Sequence, residues 1–166
     1  MFREMRRKKC ELSYDTAMKI LIAGDFGVLS LSGDDGYNYA VPINYAVENN
    51  KIYFHSAKSG HKLDAMKNNS KVSFCVVDKH EIVVEEFTTY FTSVVAFGKI
   101  KIIEDDNDPE KIRGLELLAD KYSPNVSAEL RQKELARVSA VVIPVLEIEH
   151  LTGKAARELV RDGKIK

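Results

Sequence analysis

Residues 39–47 alternate strictly. Tyr39, Val41, Ile43, Tyr45 and Val47 fall on one face of an extended chain, and Ala40, Pro42, Asn44 and Ala46 fall on the other. A helix does not have that period, so the segment predicts a strand buried on one face. Glu48-Asn49-Asn50 then predicts a tight turn, and Lys51–Ser56 the returning strand of a hairpin. Other segments read the same way. Phe26–Ser32 ends at the turn signal Gly33-Asp34-Asp35-Gly36. Lys71–Val77, Phe91–Glu104 and Val138–Ile148 are further strands; Pro144 inside the last predicts an edge or a bulge. Residues 78–89 are polar and acidic and read as a loop with strand ends.

Helices are few. Ser13 caps one whose face is Tyr14, Ala17, Met18 and Leu21, with Gly24 at its end. Ser59–Asn68 is a short helix with Leu63 and Met66 inward. Pro109 opens a longer one with Ile112, Leu115, Leu118, Ala119 and Tyr122 in its stripe. Ser127 caps a last short one with Leu130 and Leu135 inward. Short strands in a meander with few long helices argue against a doubly wound parallel sheet. They fit a mainly β architecture, an antiparallel sheet closed into a β-barrel with flanking helices. The 166 residues read as a single domain, with residues 1–12 as an arm without regular structure and 154–166 as a charged tail, helical at its start.

Charge excludes several functions. Lys plus Arg and Asp plus Glu number 25 each, which leaves no electrostatic footprint for nucleic acid or an acidic membrane surface. No apolar run reaches membrane-spanning length, and no apolar stretch follows the basic residues Arg3–Lys9, so neither a membrane span nor a signal peptide is expected. Cys10 and Cys75 are too few for an extracellular disulfide framework and read as reduced thiols of a cytoplasmic protein. The four histidines and two cysteines have no zinc-ligand spacing, and neither a P-loop nor a GxGxxG fingerprint occurs.

Three segments carry candidate chemistry. In Tyr53–Lys62 a strand ends in polar groups, turns through Gly60 and starts a helix. Free backbone N–H groups at a helix start, with His61, Lys62, Ser56 and Ser59 beside them, suit a phosphate monoester; a capped surface helix with solvated side chains is the equal alternative. In Tyr39–Val47 the face of Ala40, Pro42, Asn44 and Ala46 is small and flat enough for a ring system, or for a closely packed strand or helix. Pro42 lacks an N–H and interrupts a ladder there. In Phe91–Lys99, Ser93 could aim a hydroxyl at a ligand, and Gly98 predicts a bulge or a close backbone approach.

Together these segments resemble the pyridoxamine 5′-phosphate oxidase-related flavoproteins, and within them the nitroimidazole-resistance (Nim-type) branch. Met5-Arg6-Arg7-Lys8-Lys9 looks like the branch's basic arm, Val41-Pro42-Ile43-Asn44-Tyr45 like its strand beneath the flavin, and Tyr53–Ala57 with Gly60-His61-Lys62 like its phosphate strand and turn. Phe91–Lys99 looks like the next barrel strand, and His150-Leu151-Thr152-Gly153-Lys154 like the C-terminal signature. The resemblance implies a split β-barrel homodimer with FMN at the subunit interface, and an oxidoreductase that passes electrons to a small acceptor such as a nitroimidazole, with NAD(P)H as a donor. By position, His55, Ser56, Gly60, His61 and Lys62 would hold the phosphate and ribityl end. Pro42, Ile43 and Asn44 would line the ring, Ser93 and Val94 would approach it from the next strand, and His55 matches the histidine placed near substrate. Arg6 or Arg7 would add a second counter-charge to the phosphate. Asn44 stands where the oxidases proper use a basic residue, and their C-terminal substrate motif is missing, so vitamin B6 oxidation is not implied. A flavin carrier or sensor, or a haem-binding split barrel, are the rival readings on the same fold.

Overall fold

The computed structural model describes residues 2–165. Its elements run β1 Glu11–Leu12, α1 Tyr14–Ala23, β2 Phe26–Ser32, β3 Asn38–Asn44, β4 Ala46–Glu48, β5 Lys51–Tyr53, β6 Ser56–Ala57, α2 His61–Asn68, β7 Lys71–Val83, β8 Thr88–Ile103, α3 Pro109–Tyr122, α4 Ala128–Leu135, β9 Val141–Ala155 and α5 Arg157–Arg161. The strands pair antiparallel in the order β3-β2-β7-β8-β9-β5-β4, and β1 and β6 also pair with β9. Alternation decides what faces in. Leu29, Leu31, Phe74, Val76, Val94 and Ala96 point into the core, where Phe74 meets Tyr45 and Phe54 edge to face. Helix starts follow local chemistry: Ser13, Asp108 and Ser127 each accept a hydrogen bond from a first-turn N–H.

Several elements differ from the sequence reading. Residues 8–10 form a 3-10 turn and β1 pairs Leu12 with Gly153, so the arm ends as a strand; burial of Cys10 and Leu12 is enough to add it to β9. Met1 and Lys166 lie outside the described residues. Residues 78–89 are mostly not a loop. The β7–β8 ladder continues to Val83↔Thr88, and only Val84–Phe87 turn, with Phe87 left-handed at φ 49°. The arm reads as polar because it is two-stranded and solvent reaches both faces; Ile82 is 74% exposed. Strand β9 starts three residues late, after a 3-10 turn at Val138–Ala140, and runs on to Ala155, taking the first two residues of the expected tail.

Pro144 is neither at an edge nor at the bulge. β9 lies between β8 and β5, and the register shift falls between Phe97 and Gly98. The Pro144 carbonyl accepts from Phe54 N–H at 2.9 Å, so its missing N–H faces the same side, at the break between β5 and β6 where no donor is needed. In α3 the buried residues are Lys111, Gly114 and Leu118, and Ile112 is exposed. Gly114 lets the helix rest on Ile143 and Tyr53, and wholly buried Lys111 turns back to Asp106 (2.6 Å). In α1, Tyr14 is exposed and Ile20 takes its place in the core beside Ala17 and Leu21. α4 buries no residue and Leu130 is exposed, since α3 is its main neighbour.

Candidate functional site

Strand β5 leaves the ladder after Tyr53. Phe54 goes into the core, His55 turns outward, and Ser56 rejoins β9 opposite Val142. Gly60 then caps α2 at φ 126° and ψ 163°, a conformation that glycine alone adopts without strain. Its carbonyl accepts from Leu63 and Asp64 N–H, and no side chain caps the helix start. The first N–H groups of α2 therefore point outward at the positive end of the helix dipole. Lys62 is half-buried there. Burial holds its ammonium below the usual lysine range, and it makes no ion pair among the described residues. The His55 ring opens to solvent on one side. Partial burial, and behind it the charge of Lys62, hold its imidazole below the ordinary value. Ser56 is buried where it pairs with Val142 of β9. The sequence thus places one ammonium, one imidazole, one hydroxyl and uncapped N–H groups within one strand-to-helix turn.

The neighbouring wall is β3. It is the terminal strand of the sheet, so half of its backbone groups face no other strand. Ala40, Pro42 and Asn44 form its exposed small face, as the alternation predicts, while Ile43 packs inward against the core. Ala46 is not part of that face; the pleat resets at Tyr45 and buries it. The Asn44 amide donates to Asp25 O at 3.1 Å, which orients it along the edge.

A cluster that sequence reasoning did not single out anchors this edge. The Tyr122 hydroxyl accepts from Tyr45 N–H (2.9 Å) and faces the carbonyls of Asp25 (2.5 Å) and Tyr45 (2.8 Å). The buried Tyr45 hydroxyl donates to Leu21 O, and burial raises its pKa above the usual phenol range. Lys121 lies 4.1 Å over the Tyr45 ring and donates to Gly24 O. The only signal in the sequence was a tyrosine with a polar tip inside an apolar strand face. Tyr122→Phe leaves the Tyr45 N–H without its acceptor, so a loss of about 1–3 kcal/mol is expected in denaturant unfolding.

The other predicted residues are placed as follows. His61 stacks on Tyr39, with centroids 4.3 Å apart and planes 16° from parallel, and its Nε2 lies 3.3 Å from Asp34. These contacts bind the start of α2 to the β2–β3 hairpin and bring the Gly60–Lys62 turn beside β3. Pro42, Val28, Cys75 and Val95 form one row across the outer sheet face, and Ser93 stands in the next row. Three strand spacings, about 14 Å, separate β8 from β3. Val94 points into the core at 1% exposure. The fold therefore gathers His55, Ser56, Gly60 and Lys62 in one turn, ties that turn to the Tyr39 end of the strand that carries Pro42, Ile43 and Asn44, and keeps Ser93 three strands from Pro42 on the outer face. Arg6 and Arg7 are exposed.

The sequence profile of pyridoxamine 5′-phosphate oxidase matches residues 13–155. The chain belongs to this family. No match is found among curated proteins. Among solved structures, a candidate 5-nitroimidazole antibiotic resistance protein from Bacteroides thetaiotaomicron is similar, at 23% identity over 86% of this chain and 84% of that one, with a TM-score of 0.72. A FAD-binding protein from Mesorhizobium loti is 25% identical over 88% of this chain and 96% of its own, with a TM-score of 0.64. A FAD and haem-binding protein from Mycobacterium smegmatis is 23% identical over 94% and 80%, with a TM-score of 0.71. The mainly β architecture with flanking helices is the one expected from its strands, and the split barrel is the one the family resemblance implied. Among the described residues no helix is long and apolar enough to cross a membrane.

Proposed function

We propose that this chain binds FMN and acts as an oxidoreductase on small acceptors. The observation that carries the reading is Lys62: a half-buried ammonium without a carboxylate partner among the described residues, beside His55 and at an uncapped helix start. A half-buried ammonium so placed is costly until an anion joins it. A phosphate monoester supplies that charge, and the space around Gly60, where an added Cβ would meet nothing within 4 Å, leaves room for it. Lys62, the α2 N–H groups and the Ser56 hydroxyl hold the phosphate. The free edge of β3 at Pro42, Ile43 and Asn44 lines the ring through backbone groups. When bound, FMN supplies reversible electron transfer that no side chain offers. His55, neutral at pH 7, is the group able to hold or release a proton beside it.

A homodimer fits the same reading. Phe26, Val77, Ile82 and Phe87 leave an exposed apolar strip on the outer sheet face and its hairpin, and Phe87 is 97% exposed. A second copy seated there is the partner proposed. Its test is a sedimentation experiment, in which a monomer at micromolar concentration contradicts it. The FAD-binding relatives favour a second reading, FAD in place of FMN. Releasing the cofactor by heat and separating it chromatographically distinguishes the two. For activity, NAD(P)H consumption with a nitroimidazole or a quinone as acceptor is the expected result. No turnover over a broad acceptor panel leaves a flavin carrier.

His55 gives a pH prediction. Its folded pKa lies below its unfolded one, near 6.5. The unfolded chain therefore binds more protons as pH falls through that range, and folding stability declines below about pH 6.5. His55→Gln should flatten the decline in denaturant melts. FMN phosphate beside the ring should move its pKa up in an NMR titration, and an unmoved resonance would exclude His55 from the phosphate end.

A further inference from the structure

We infer that the outer face of the sheet carries a second binding groove, for a planar aromatic carboxylate, which the chain's own Phe2 holds shut. The Phe2 ring stacks on His150, with centroids 4.6 Å apart and planes 10° from parallel, and lies 5.7 Å from Phe97. Residues 2–7 belong to no helix or strand, so no ladder fixes Phe2 in place, and its side chain remains 41% exposed. A slot that seats one flat ring on His150 accepts another.

Space is available on both sides of that ring. One cavity, of about 480 Å³, is bounded by Phe2 and Phe97 over Ser30, Ser73 and Gly98. The other, of about 370 Å³, lies between Phe2, Arg3, His150 and Thr152. Both volumes suit small ligands. Ser30, Ser73, Phe97 and His150 are successive partners across β2, β7, β8 and β9, so they line one row: two small hydroxyl residues as a flat floor, two rings as a stacking platform. With Phe2 swung away, the two cavities merge along that row.

Charge selects the ligand. Lys71 stands at the rim of the larger cavity and makes no ion pair among the described residues, while Glu149, the carboxylate on that rim, already pairs with Lys99 at 3.6 Å. Lys71 lies two strands across and two residues along from His150, about 12 Å, which a two-ring acid and a lysine side chain span together. A ring on His150 with its carboxylate toward Lys71 satisfies both ends.

The probe is 2-naphthoate, titrated calorimetrically into the full chain with and without saturating FMN. Phe2→Ala alters a segment outside the barrel and should bind the probe about five-fold or more tightly than the unchanged chain, because the closed population no longer lowers the apparent affinity. Adding Lys71→Ala to that variant should weaken binding roughly ten-fold. Phe2→Ala that binds no more tightly than the unchanged chain overturns the inference, as does probe binding that FMN displaces, which would put the probe in the flavin cleft. Because the titration reads without flavin as well, failure of FMN binding and failure of the groove are separate results.

Discussion

Lys62→Ala is expected to weaken FMN binding roughly 10- to 150-fold, since a charge-assisted contact to phosphate is worth about 1.5–3 kcal/mol. Stability should not fall with it. The ammonium is half-buried, burial already lowers its pKa, and it has no carboxylate partner among the described residues, so its removal relieves a desolvation cost in the flavin-free protein. Binding lost with the fold intact is the signature of a ligand contact. Lys62→Arg should recover most of the affinity. His61→Ala should cost less affinity than Lys62→Ala, because the His61 ring is already engaged by Tyr39 and Asp34. Fluorescence titration of FMN checks all three variants. Equal affinities for Lys62→Ala and the unchanged chain would remove Lys62 from the site.

Gly98→Ala is expected to be the most damaging single change in the barrel. A Cβ at Gly98 would stand 1.9 Å from the carbonyl oxygen of Glu147 and 2.9 Å from its carbon, both backbone atoms of the neighbouring strand. Neither can move without opening the β8–β9 ladder at the register shift beside Gly98. Overpacking of this kind costs about 3 kcal/mol or more, which for a chain of this size lowers Tm by about 6–12 °C. A thermal melt shifted by less than about 2 °C would contradict the close approach. Gly60→Ala is a useful contrast: nothing crowds its Cβ, so its cost comes from the backbone at φ 126° and should be smaller.

Local signals were the legible ones. Ser13, Pro109 and Ser127 marked helix starts because capping depends on a few consecutive residues. The His55–Lys62 turn was legible for the same reason, since strand end, glycine and helix start follow one another in the chain. Gly98 announced a close approach, which the neighbouring Glu147 carbonyl explains. What was hidden depends on residues far apart. His61 pairs with Tyr39 and Asp34 from another hairpin, and the Tyr122–Tyr45–Lys121 anchor joins α3 to the break in the β3–β4 edge. The β7–β8 arm was hidden because its exposed faces have no apolar alternation to betray a strand. Val94 was read on family position alone; strand parity puts its side chain in the core.

On the proposed reading the Lys62 turn and the β3 edge together hold a flavin mononucleotide. The absorption spectrum of the purified protein, followed by titration with added FMN, tests it directly. The expected result is the two visible flavin bands, or their uptake to one FMN per chain, with the bound cofactor released as FMN. A colourless protein that takes up no FMN, or a spectrum carrying only a haem Soret band, would contradict it.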